Sequence, residues 1–115
     1  MSLVIVGSIG LDTISTPVGK VHDAPGGSAV YGSLAGSYFT QVNIIGVVGQ
    51  DYPASARDLL HKHGVNLDGL EYAEGKTFRW SGEYKDWNKA NTLKTELNVF
   101  ADFVPKIPQN CRSCH

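Results

Sequence analysis

The stretch from Pro25 to Tyr38, Pro-Gly-Gly-Ser-Ala-Val-Tyr-Gly-Ser-Leu-Ala-Gly-Ser-Tyr, admits few local folds. Gly26 and Gly27 stand where a loop meets a run of small and apolar residues, between two strand-like segments. A glycine pair lets the backbone enter positive φ and approach whatever it faces, because no Cβ intervenes. Ser28, Ala29, Gly32, Ser33, Ala35, Gly36 and Ser37 then predict a helix pressed tightly against a sheet. Val30, Leu34 and Tyr38 repeat every four residues, which gives that helix one apolar stripe and an extent of Ser28 to Phe39. Its first turn would offer N–H groups to an anion or polar ligand. A purely structural turn accounts for the glycines equally well.

The segments on either side complete a frame. Leu3-Val4-Ile5-Val6, closed by Gly7, reads as a fully buried parallel strand. Gly7-Ser8-Ile9-Gly10-Leu11-Asp12 follows as a loop at its C-terminal end, the edge where open α/β sheets bind ligands. Asp12 is the first polar acceptor there, as a ligand contact or as a cap. Thr13 to His22, interrupted by Pro17 and Gly19, is extended and suits an edge strand. Val42 to Gly49 reads as a second buried strand, so strand, helix and strand form a βαβ unit. A second helix is expected over Pro53–His63, with Asp51 as N-cap and Ala56, Leu59, Leu60 and His63 inward. Gly64 fits the position after its end. His61 and His63 are two apart and do not share a helical face, which disfavours a metal site there.

From Val65 onward the texture changes to short extended runs: Asp68–Ala73, Lys76–Ser81 and Asn91–Leu97. Thr77 to Tyr84 alternates with a period near two, so Phe78, Trp80 and Tyr84 share one face, packing on a sheet or lining a cleft. The chain therefore divides into an α/β body, 1–12 and 23–64, and a small antiparallel sheet, 13–22 and 65–97. Residues 98–115 are an incomplete return segment to the body.

Composition removes several function classes. Ten Lys and Arg against eleven Asp and Glu leave no basic stripe, so nucleic acid is not an expected partner. The apolar runs are strand-length, far short of the ~20 residues of a spanning helix, so no membrane is expected. Met1-Ser2-Leu3-Val4 lacks the basic region of a secretory signal, and the expectation is a cytoplasmic protein. Both cysteines, Cys111 and Cys114, lie in the last five residues, so no disulfide framework holds the body. Cys111-Arg112-Ser113-Cys114-His115 matches a c-type haem attachment pattern. Without an export signal, a haem-sized pocket or a fourth zinc ligand, ordinary cysteines are the expected reading, with haem, zinc and redox roles the alternatives.

Taken in order, these segments resemble the N-terminal part of ribokinase-like (PfkB family) carbohydrate kinases. The resemblance rests on Gly7 to Asp12, Pro25-Gly26-Gly27-Ser28, Val47-Val48-Gly49-Gln50-Asp51 and His63-Gly64-Val65. Thr77-Phe78-Arg79-Trp80 and Leu97-Asn98-Val99-Phe100 through Phe103-Val104-Pro105 extend it. It implies a Rossmann-like sheet with a small β lid, of which this chain covers only the opening portion, truncated before the rest. It also implies that Asp12 accepts hydrogen bonds from substrate hydroxyls and that Gly26 and Gly27 form the hinge where substrate contact and lid movement meet. Such a carboxylate and exposed amides suit a polyhydroxylated ligand. Tyr31 and Gly10 stand where family members usually have asparagines, and the interval from Gly27 to Gly49 is one residue short, which leaves the sugar identity open. Gly10, Asp12, Gly26, Gly27 and Tyr31 are the candidate substrate-binding residues.

ATP and Mg2+ are implied for a complete enzyme, and none is expected to be held by this segment. The family's catalytic aspartate and Gly-Ala-Gly-Asp loop have no counterpart here, no Walker-type motif occurs, and no catalytic residue is assigned. The first functional expectation is the substrate-binding and lid portion of an ATP-dependent sugar or nucleoside kinase, inactive alone. The alternative is a non-catalytic binding or assembly module for a small polar ligand. An uncovered sheet edge implies self-association or a complementing C-terminal segment as partner.

Overall fold

The computed structural model describes residues 2–86 and 88–112. Among these residues seven strands form two sheets, with two α-helices. Strands β1 (Ser2–Val6), β4 (Gln41–Val48) and β5 (Asn66–Tyr72) make a parallel sheet in the order β1-β4-β5. Strands β2 (Gly10–Thr16), β3 (Gly19–Gly26), β6 (Phe78–Asp86) and β7 (Lys89–Glu96) make the second, in the order β3-β2-β6-β7. Helix α1 (Ser28–Gly36) joins β3 to β4, and α2 (Ala54–Lys62) joins β4 to β5.

The core belongs to the parallel sheet. Val42, Ile44, Ile45, Val47 and Val48 of β4 are buried, and Val42, Ile44 and Val48 pack with Ile9, Ala29, Val30, Leu60, Val65 and Leu70. A central strand flanked on both sides and covered by helices reads as a continuous apolar run, as β4 does. Strand β1 departs from the expectation of full burial. It pairs with β4 along one edge only, its residues are half-buried, and Val6 is 47% exposed.

Helix α1 also differs from its expected stripe. It ends at Gly36, with Tyr38 and Phe39 exposed beyond it, and its buried residues are Ala29, Val30 and Ser33. The small residues decide the contact face: a Cβ at Gly32 would stand 3.3 Å from Ile5, and one at Gly36 3.1 Å from Val42. Close approach of helix to sheet through glycine, alanine and serine outranks the larger side chains.

The second sheet corrects three boundaries. Gly10 to Asp12 lie on a strand rather than a loop, because β2 pairs antiparallel with β3 and parallel with β6. That makes β2 central, and the sheet mixed rather than purely antiparallel. Strand β5, expected in this sheet as part of 65–97, pairs instead with β4. The body segments therefore run to about Ile9 and from Gly27 through β5, and the second sheet takes 10–26 and 78–96. Hydrogen bonding along β4, invisible to local patterning, draws β5 into the body.

The return segment opens with a short 3-10 helix, Asn98–Asp102, and Phe100 packs edge-on against Phe78 at 5.5 Å. Cys111 is buried. Cys114 and His115, on which the haem pattern depends, lie outside the described residues.

Candidate functional site

The body and the second sheet meet where β1 leaves the core. Ser8 and Ser28 close this joint reciprocally: the Ser8 amide donates to Ser28 Oγ at 3.3 Å, and the Ser28 amide to Ser8 Oγ at 3.1 Å. The Ala29 amide donates to the Ser8 carbonyl at 3.0 Å. Two amides of the first turn of α1 are thus engaged within the chain, which corrects the expectation that this turn offers its N–H groups to an anion. Gly27, the residue before the helix, sits at φ 97°, and a Cβ there would lie 2.3 Å from the Ser8 carbonyl oxygen. Only glycine fits.

Asp12 projects from the middle of β2 over this turn. Its backbone pairs with Ala24, and Gly10 pairs with Gly26. A Cβ on Gly26 would stand 2.1 Å from Asp12 Oδ2, so the missing side chain is the space the carboxylate occupies. The Tyr31 hydroxyl, from the first turn of α1, faces Asp12 Oδ2 at 3.5 Å. The structure therefore brings Gly10, Asp12, Gly26, Gly27 and Tyr31 to one place.

The electrostatics leave this carboxylate with capacity to spare. Burial raises its pKa, and the Tyr31 hydroxyl acts against that rise. Burial and the neighbouring Asp12 charge together raise the Tyr31 phenol. An O–H···O contact of 3.5 Å is well beyond the ~2.7–2.8 Å optimum, so most of the acceptor capacity of Asp12 is not used by Tyr31. A partly desolvated carboxylate beside exposed Tyr31 is arranged to accept hydrogen bonds from hydroxyl groups.

A second cluster fastens the two sheets. Asp51 does not cap α2, where Pro53 occupies the N-cap position. Its Oδ1 accepts from the Thr77 amide at 2.8 Å and from Thr77 Oγ1 at 2.7 Å, and its Oδ2 from Arg79 Nη2 at 2.7 Å. Thr77 is fully buried and its Oγ1 also accepts from the Gly49 amide at 2.9 Å. Arg79 reaches across to Asp23, which holds φ 51°, and Asn98, also at φ 51°, donates to the Thr77 carbonyl at 2.9 Å. Asp and Asn are the residues that tolerate this left-handed region. Burial would raise the Asp51 pKa, but the bonds from Thr77 and Arg79 prevail and lower it. Thr77, Arg79, Asp23 and the Ser8–Ser28 pair were not singled out as site residues by sequence reasoning. Their partners lie 20 to 56 residues away, and no local pattern announces them.

Among the described residues no group of three His, Cys, Asp or Glu could hold a metal ion, and α1 spends two first-turn amides on Ser8. No helix among them is long and apolar enough to cross a membrane.

No family model and no curated protein matches the chain. Solved structures do. The ribokinase of Cryptococcus neoformans var. grubii serotype A in complex with ADP is similar at 18% identity, with a TM-score of 0.67 over 85% of this chain and 35% of that one. The nucleoside kinase of Methanocaldococcus jannaschii, a member of the ribokinase family, is similar at 17% identity, with a TM-score of 0.64 over 85% and 37%. The Burkholderia thailandensis nucleoside kinase in complex with inosine is similar at 14% identity, with a TM-score of 0.69 over 86% and 36%. The chain spans little more than a third of the length of these structures. Likeness at this identity shows the fold: an α/β segment of the ribokinase architecture.

Proposed function

We propose that this chain is the substrate-binding and lid portion of an ATP-dependent sugar or nucleoside kinase. Complete, such an enzyme moves the γ-phosphoryl group of ATP to a substrate hydroxyl. The observation that carries the reading is the Asp12 carboxylate, seated in the space left by Gly26 and faced by the Tyr31 hydroxyl. The ribokinase-like fold and the neighbours' nucleotide and nucleoside complexes support it. Gly26 leaves the space that the Asp12 carboxylate fills, Gly10 leaves the space that Phe78 fills, and Gly27 sets the angle at which β3 enters α1. The second sheet is the lid, and the Asp51–Thr77–Arg79 cluster is the tie between lid and body.

Phosphoryl transfer needs charge neutralisation and in-line positioning of ATP, and these residues supply neither. ATP and Mg2+ belong to the complete enzyme, in a cytoplasmic setting, with a complementing C-terminal segment or a second copy covering the open edge of β1. The chain by itself binds substrate and does not phosphorylate it. A non-catalytic binding module for a small polar ligand is the second reading, favoured by the same engaged amides of α1.

Titration calorimetry with D-ribose and inosine, on the chain and on Asp12→Asn, tests the binding role. Hydrogen bonds to a charged partner contribute about 1.5–3 kcal/mol, so Asp12→Asn should weaken binding about 10- to 150-fold. No heat from either ligand overturns both readings. Phosphorylated product from ATP and the chain alone overturns its assignment as a portion inactive by itself.

A further inference from the structure

We propose that Trp80 is a stacking platform for a planar aromatic base, which makes the ligand of the Asp12 site a nucleoside rather than a free sugar. This rests on the hydroxyl-accepting role of Asp12 proposed above and deepens it.

Asp12 and Trp80 are register partners across the parallel β2–β6 pair. Their side chains therefore leave the sheet on the same face, from strands about 4.8 Å apart. Strand alternation places Ile14, Gly82 and Tyr84 on that face too, and Ile14 pairs with Gly82. The indole lies across Gly82. A Cβ there would meet ring atoms Cη2, Cζ2 and Cζ3 at 2.0, 2.5 and 2.6 Å, distances that put the ring's face, not its edge, over the glycine. Gly82 is buried beneath it, while Trp80 stays partly exposed. The indole N–H donates to Thr92 Oγ1 at 3.2 Å, which fixes the ring and satisfies its one polar atom. One ring face rests on the Gly82 backbone, and the ring keeps part of its surface in solvent.

A plane beside a carboxylate recognises a molecule with a flat apolar end and a hydroxylated end. Within residues 10–14 and 78–84, Asp12 is the one charged side chain on this face. A free sugar laid here would set hydroxyls against Ile14 and the indole with no partner, a cost that a base does not incur. A nucleoside satisfies both halves: ribose hydroxyls on Asp12, base on Trp80. Tyr84, on the same face, is close enough to Tyr31 to raise its phenol further.

Trp80 and Trp87 are the chain's two tryptophans, so Trp87→Phe leaves Trp80 as the single emitter. Titrating that chain with inosine should quench its fluorescence saturably, and D-ribose should not. Trp80→Ala should weaken inosine about 5- to 150-fold, the range for loss of one base–aromatic stack, and leave calorimetric ribose affinity unchanged. Trp80→Phe, with a smaller ring, should fall between and carries the test if the alanine variant does not fold. Inosine and ribose binding equally, both lost in Asp12→Asn and neither affected at Trp80, overturns the platform while the hydroxyl pocket stands. Failure of both ligands to bind overturns the pocket and the platform together.

Discussion

Strands β4 and β7 are both eight residues long, and they are held by different forces. Gln-Val-Asn-Ile-Ile-Gly-Val-Val of β4 is buried at every position after the first, between two neighbouring strands and against α1. Lys-Ala-Asn-Thr-Leu-Lys-Thr-Glu of β7 is exposed at every position before the last and pairs on one side only. Burial at roughly 25 cal/mol per Å2 of apolar surface stabilises the first, and the second relies on its ladder to β6. Regions with few buried contacts open locally at low cost, which is the property that ligand-covering elements require. The candidate site lies between these regimes, with its backbone fixed by the core and its carboxylate on a strand of the looser sheet.

The largest effect expected from this contrast is in the core. Ile44→Ala should cost about 2–5 kcal/mol in urea unfolding, while Leu93→Ala, at a 62% exposed position of β7, should stay within about 0.5 kcal/mol. Equal costs would abolish the distinction. Next comes the tie between the sheets. Thr77→Val keeps the shape but leaves the buried Gly49 amide without its acceptor, and should cost about 1–3 kcal/mol. A neutral result would mean that the tie contributes nothing to joining the two sheets.

A smaller effect is expected from pH. The Asp51 pKa is lowered in the fold, so its stabilisation is complete above the ordinary carboxylate value near 3.9 and fades as pH falls through the lower folded value. Asp51→Asn should remove that part of the acid slope, measured by urea midpoints between about pH 2 and pH 6. Asp12 has the opposite sign. Its raised pKa means that folding favours the neutral form, so its contribution to stability declines as pH rises from the ordinary value through the folded one. Asp12→Asn should accordingly leave the neutral-pH midpoint unchanged or slightly raised while it weakens ligand binding. A clear loss of stability would make Asp12 a structural residue.

The α/β class, the β4 run and the Gly26–Gly27 turn were legible because each is a local demand: continuous burial, or space that only glycine leaves. The grouping of Asp12, Gly26 and Tyr31 came from the family resemblance and not from a local pattern, and Asp12 was expected on a loop. What escaped was set by distant partners. β5 shares the short extended texture of the second sheet, and its pairing with β4 moves it into the body. Asp51 precedes a helix as a cap would, yet Thr77 and Arg79 offer it three stronger donors. Tyr38 continued the α1 stripe on paper, but glycines at 32 and 36 turn another face to the sheet.

Amide chemical-shift mapping of the nitrogen-labelled chain with inosine addresses the central claim, that a hydroxylated ligand sits between Asp12 and the glycine turn. The account predicts shifts at Gly10, Asp12, Gly26, Gly27 and Tyr31, with Ile44 to Val48 of β4 unmoved. Saturable shifts confined to other residues, or no shifts at inosine concentrations that saturate a hydroxyl-binding pocket, would contradict it.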